Sequence, residues 1–175
     1  MSYQRDFTIG LRETQDFYLS LVLGHWRKGI AGFALVGALA ALLYTMNTDL
    51  MLPVKAAVVL AGALAGAAVT VIAVSVSTLR KVREQVRRSG REQYVQETEI
   101  NGFGVRVTVG KDRGKMGFED LLRVRETRKA FYLFLSENQA WILPKAQMED
   151  REGDCARLRE LFSAVIEKGK LKLKG

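Results

Sequence analysis

One histidine, His25, and one cysteine, Cys155, are all that the 175-residue chain offers for imidazole or thiolate chemistry. A histidine-based triad would need partners that a lone imidazole beside Trp26 and Arg27 does not have, and zinc sites of the usual Cys/His spacing are excluded. Cys155 lies on an apolar stripe, where a thiol behaves as a small hydrophobe; a single cysteine also rules out an intrachain disulfide and suits a reducing compartment. "GFGVRV" from Gly102 has valine where a dinucleotide fingerprint needs its third glycine, and "GKDRGK" from Gly110 is one residue short of a phosphate-binding P-loop. Both run towards strands, so both are expected to be turns. The carboxylate pairs Glu119-Asp120 and Glu149-Asp150 imitate an acid/base couple, but strand neighbours face opposite ways and each pair stands by an expected turn. The expectation is a protein that is not an enzyme, with no cofactor, no bound metal and no catalytic residues.

The elements that would hold any site divide the chain in two. "GIAGFALVGALAALLYTM", 29–46, has no charge over 18 residues, and "AAVVLAGALAGAAVTVIAVSVSTL", 56–79, none over 24. At about 1.5 Å per residue each approaches or exceeds a hydrocarbon core of about 30 Å, so two membrane helices are expected, with a loop over 47–55. A signal peptide is a poor fit for the first, which begins after 28 polar-rich residues and is followed by a second span. Trp26 and Tyr44 stand at interfacial depths.

Orientation follows from basic residues in short loops. Arg27 and Lys28 precede the first span, only Lys55 lies between the spans, and Arg80, Lys81, Arg83, Arg87, Arg88 and Arg91 follow the second. Both termini are therefore expected in the cytoplasm, with 1–28 and 80–175 on that side and 47–55 on the opposite side of the membrane. Of the net charge of +8, +5 falls in 80–91, while 92–150 carries −1. That distribution points to anionic headgroups as counterions and away from nucleic acid, which would call for basic and aromatic residues spread over the folded surface.

The second helix is expected to run on through "RKVREQVRR" to Ser89-Gly90, and Gly62 and Gly66, within an alanine-rich stretch, to form a close helix contact. Packing on the first span is favoured over a homo-oligomer interface, which stays open. Beyond Gly90 the period becomes two. "YVQETEI" and "FGVRVTV" flank Asn101-Gly102 as a hairpin, "GKDRG" is the next turn, and "KMGFEDLLRVRET", "KAFYLFLS" and "QAWILP" complete five or six antiparallel strands. Cys155, Leu158, Leu161, Phe162, Val165 and Ile166 then mark an amphipathic helix, with Asp154 as its cap and Gly169 at its end. The fold class is thus membrane α plus a cytoplasmic α+β unit at 92–169, with a basic tail at 170–175. Upstream, Phe7 and Ile9 alternate with Asp6 and Thr8, so Tyr3–Ile9 is expected to add to an edge of the sheet, and "ETQDFYLSLVLGHWRK" to be a helix leading to the membrane.

The order of these elements, the lead "FTIGLRETQDFYLSL", the strands "ETEINGFGVRV" and the turn Leu143-Pro144-Lys145 in "WILPKAQM" resemble the YcxB-like bacterial membrane proteins over nearly the whole chain. The resemblance implies a C-terminal domain similar to pleckstrin-homology-like barrels, hence a membrane-anchored binding or scaffold module with an unidentified protein partner. It brings no catalytic residues with it. Lys111, Arg113 and Lys115 are the nearest equivalent of a phosphoinositide-binding hairpin, and Asp112 interrupts them, so that ligand does not transfer. The alternative class is an accessory or channel-like subunit of a transport complex; against it, only Thr70, Ser75, Ser77 and Thr78 are polar within the second span.

Overall fold

The computed structural model describes residues 2–90 and 92–173; Arg91 and the last two residues of the basic tail lie outside them. The chain divides into two units, residues 18–85 and a discontinuous one made of residues 1–17 and 86–175.

In the first unit, α2 (Arg27–Met46) and α3 (Leu52–Ser89) are long and apolar enough to cross a membrane. Their large apolar side chains are not folded into a core: Phe33, Leu43, Leu60, Leu64 and Ile72 are all more than half exposed, which suits hydrocarbon and not water. The helices meet through glycine. A Cβ on Gly62 would stand 2.6 Å from the Gly37 carbonyl oxygen and 2.7 Å from the Ala41 Cβ, and one on Gly66 would stand 2.5 Å from the Phe33 carbonyl oxygen. Position 33 facing 66 and 37 facing 62 makes the pair antiparallel. Lipid supplies no hydrophobic drive between helices, so this close backbone approach is what holds them. Gly62→Leu is expected to lower the stability of the helix pair by about 1–3 kcal/mol through overpacking. Detergent-resistant thermal unfolding measures it; an unchanged midpoint would place Gly62 on a lipid-facing surface.

The helix boundaries differ from the sequence reading. Pro53 occupies the first turn of α3, where its missing N–H costs nothing, so the helix begins at Leu52, takes in Lys55 and leaves a shorter connection. It continues unbroken through Arg88 to Ser89 and ends at Gly90, whose φ of 65° is the left-handed conformation glycine adopts freely.

The second unit begins before the membrane helices. β1 (Tyr3–Gly10) pairs antiparallel with β2 (Gln93–Asn101), Tyr3 opposite Ile100 and Gly10 opposite Gln93. Its alternation puts Tyr3, Phe7 and Ile9 inside and Gln4 and Asp6 outside. β3 (Gly104–Val109) and β4 (Asp112–Met116) complete a sheet of order β1-β2-β3-β4. The hairpin turn falls one residue later than expected, at Gly102-Phe103, because the Asn101 side chain accepts the Phe103 N–H at 3.0 Å instead of occupying the turn. The next turn is Gly110-Lys111 alone, so Asp112, Arg113 and Gly114 belong to β4.

β5 (Arg123–Glu126), β6 (Ala130–Phe134) and β7 (Ala140–Pro144) form the second sheet with β8 (Leu171–Lys172), which pairs parallel to β5. The expected strand "KMGFEDLLRVRET" is broken over 117–122: Phe118 and Leu121 are both buried, and side chains three apart cannot share a face of one strand. β6 is buried along its whole length because both faces are covered. Phe131 meets Phe162 of α4 (Arg151–Val165) at 6.1 Å, while Tyr132 and Phe134 meet Phe17 of α1 (Leu11–His25) at 5.3 and 5.7 Å. Leu158 and Phe162 of α4 lie in the core with Phe7, Ile100, Leu133 and Leu143.

Side-chain amides link the two sheets. Buried Gln96 donates to the Ile142 carbonyl at 3.1 Å, and Gln147 grips the free edge of β1, accepting the Thr8 N–H and donating to the Thr8 carbonyl, both at 2.7 Å. No ladder closes the sheets into a barrel among the described residues. The cap of α4 is Asp150, which accepts the Gly153 N–H, and not Asp154; the helix ends at Val165, ahead of Gly169, and the expected tail instead supplies β8.

Candidate functional site

Leu143-Pro144-Lys145 ends β7 and starts a short 3-10 turn over Lys145–Gln147. Leu143 is core, and Lys145 is carried inward instead of towards solvent. Its ammonium pairs with Glu126 Oε1 in β5 and lies 4.7 Å from the centre of the Phe131 ring. Arg159 of α4 forks onto the same carboxylate, Nη2 at 2.7 Å from Oε1 and Nε at 3.0 Å from Oε2. That hydrogen-bonded contact raises the guanidinium's pKa further. The Glu126 side chain is fully buried and Arg159 well over a third exposed, so the triad locks β5, β7 and α4 together instead of presenting a ligand site. Nothing in the spacing of 126, 145 and 159 announces it.

Beside the Lys145 turn is a pocket of about 210 Å³ with a floor of Tyr132, Ile142 and Pro144 and a rim carrying Arg12, Arg128 and Arg151. These arginines come from the first turn of α1, the β5–β6 turn and the start of α4. Phe17 on Tyr132 and Phe134 seats the beginning of α1, and Lys129 Nζ holds Asp16 at 2.7 and 2.8 Å. The Lys145 N–H donates to the Lys129 carbonyl at 2.8 Å, fixing the turn against the end of β7. Arg151 reaches only the Arg128 carbonyl, at 3.4 Å, and neither Arg12 nor Arg128 has a side-chain hydrogen bond or ion pair among the described residues.

The residues singled out in the sequence do not converge. Arg80, Lys81, Arg83, Arg87 and Arg88 lie exposed along α3; Arg91 is outside the described residues. Lys111, Arg113 and Lys115 are exposed on the β3–β4 hairpin, and His25 is exposed at the end of α1. Glu149 pairs with Arg5 at 3.1 Å and Asp150 caps α4, so that carboxylate couple has structural work. No three His, Cys, Asp or Glu side chains gather as metal ligands among the described residues. Cys155 is buried, its Sγ 3.8 Å from Met148 Sδ, and burial pushes its thiol pKa up, away from the reactive thiolate.

Tyr3 carries a further expectation. Its hydroxyl is buried with no hydrogen-bond partner among the described residues, and burial, with nearby Asp154 adding to it, pushes its pKa up to about 12. The folded state then keeps a proton that the unfolded chain releases near pH 10. Stability from this group is whole below about pH 10 and is lost as pH rises towards 12. Tyr3→Phe removes that loss and an unsatisfied hydroxyl, so it should match or exceed wild type at neutral pH and gain on it in strong alkali. Parallel denaturation of the two proteins checks this; identical alkaline losses would contradict it.

Two membrane-length helices joined to a two-sheet unit capped by a helix define a membrane-associated α+β protein. Residues 100–162 match the family model described as YcxB-like protein, a segment that runs from the end of β2 through most of α4 and contains Glu126, Lys145 and Arg159. Neither the curated proteins nor the solved structures gave a match.

Proposed function

We propose that this chain is a membrane-anchored binding or scaffold module of the bacterial inner membrane, its pleckstrin-homology-like unit facing the cytoplasm. The observation that carries the reading is the pairing of β1 with β2. One strand precedes both candidate spans and its partner follows both, which supports two crossings with both chain segments on the same side of the bilayer. The exposed basic residues from Arg80 to Arg88 favour the cytoplasmic side and anionic headgroups. Four strands, then three, then a helix is an order similar to that of pleckstrin-homology-like domains, with the gap between sheets bridged by Gln96 and Gln147.

Topology reporters test the anchor: fusions at either terminus should report the cytoplasm, and an insertion near Leu50 the periplasm. A periplasmic terminus overturns it. Affinity capture of the full chain from gently solubilised membranes tests the module. A reproducible protein partner supports it, and ring-like assemblies that pass ions would replace it with a channel-like subunit.

A further inference from the structure

We infer that the pocket rimmed by Arg12, Arg128 and Arg151 binds a phosphate monoester, and thereby assigns a ligand class to the binding module proposed above, on which this inference rests. Of the side chains lining the pocket five are basic and two acidic. Both acids are engaged, Asp16 with Lys129 and Glu13 with the Gly10 N–H at 3.0 Å. Lys145 is tied to Glu126, which leaves the Arg12 and Arg128 guanidiniums with no side-chain partner among the described residues and Arg151 with only the Arg128 carbonyl at 3.4 Å. Arg12 lies more than a hundred residues before Arg128 and Arg151 in sequence, and the fold brings like charges together around one cavity. Such crowding raises the energy of the empty site and is relieved by an anion.

The chemistry of the ligand follows from the donors. Guanidinium forks match the oxygens of phosphate or carboxylate in a bidentate geometry, and a lining surplus of three positive charges favours a dianion over a single carboxylate. At about 210 Å³ the cavity is below the roughly 300–1,000 Å³ that holds a drug-sized ligand, so it takes a phosphate with only a few further heavy atoms. The Tyr132, Ile142 and Pro144 floor supplies an apolar face for the carbon part of the ester. A phosphatidic acid headgroup and a free sugar or glycerol phosphate share this chemistry.

The test uses the full chain in phosphatidylcholine nanodiscs, titrated calorimetrically with sn-glycerol 3-phosphate, and a second set of nanodiscs containing phosphatidic acid. Saturable binding of the soluble ester is expected, with each of Arg12→Gln, Arg128→Gln and Arg151→Gln lowering affinity about tenfold, and with glycerol not binding. Lys111→Gln, on a hairpin that does not line the pocket, should leave affinity unchanged. Saturation only in phosphatidic acid discs, lost in the triple variant, assigns the site to the headgroup. In wild type, independent of any variant, glycerol 3-phosphate should slow phenylglyoxal modification of Arg12, Arg128 and Arg151. No binding of either probe, or equal binding by wild type and triple variant, overturns the assignment. A protein partner captured equally by both in that case leaves the binding-module reading standing, while a periplasmic terminus overturns that reading without touching phosphate binding.

Discussion

Replacing Glu126 with leucine is expected to lower the stability of the sheet unit by about 3–5 kcal/mol, because the substitution leaves the Lys145 ammonium inside the protein with no counter-charge. The carboxylate it loses is fully buried and serves two cations, and the lysine's remaining neighbour, the Phe131 ring, offers only a weak cation–π contact. Arg159→Met breaks the other arm and should cost far less, about 1 kcal/mol, since that guanidinium is well over a third exposed and reaches water. Adding Lys145→Met to Glu126→Leu should recover most of the loss, as an apolar pair of similar volume replaces a buried ion pair at little net cost. Chemical denaturation of the three variants, followed by amide exchange at Val105–Val109, gives the ranking. If Glu126→Leu proves no worse than Arg159→Met, the triad is not what joins β5, β7 and α4.

Phe7→Ala should be comparably severe at a site that lies some eighty residues upstream of the rest of its sheet. Phe7 is fully buried opposite Gln96, and a buried Phe→Ala change typically costs about 3–5 kcal/mol. The loss should appear in the part of the chain that follows the membrane helices: faster exchange in β2 and β3 and a lower denaturation midpoint for the whole unit. A fragment beginning at residue 92 should share that instability, since it exposes the β2 edge and the core face that β1 covers. Supplying residues 2–10 through a linker should restore it. Unaltered protection at Val105–Val109 in Phe7→Ala would mean that the sheet does not depend on its first strand.

The periodicities that were legible were those set by local chemistry. Uncharged runs around 29–46 and 56–79 can satisfy their backbone in hydrocarbon only as helices, and the valine alternation of "VRVTV" and the three–four spacing from Cys155 to Phe162 each suit one secondary structure. Even the membership of Tyr3–Ile9 in a remote sheet could be argued from its alternation and its need for hydrogen-bond partners. Gly62 and Gly66 stood out by spacing, whereas Gly37 did not, because its role depends on which residue of the other helix it meets.

What the tertiary structure decided has the same character throughout: it concerns which distant residues share a volume. "KAFYLFLS" announces a strand, but that Phe17 covers one face and Phe162 the other follows from the packing of α1 and α4. Lys145 belongs to a short recognisable turn, yet a lysine after proline would ordinarily be solvated, and only the buried Glu126 carboxylate offsets the desolvation of its charge. The pocket has no sequence signature at all, since Arg12, Arg128 and Arg151 are unremarkable surface charges until two helix starts and a β-turn bring them to one rim. Hydrophobic period is a property of neighbours along the chain and survives in the sequence; charge convergence and shared burial are properties of the assembled fold, where desolvation and distance fix their energies.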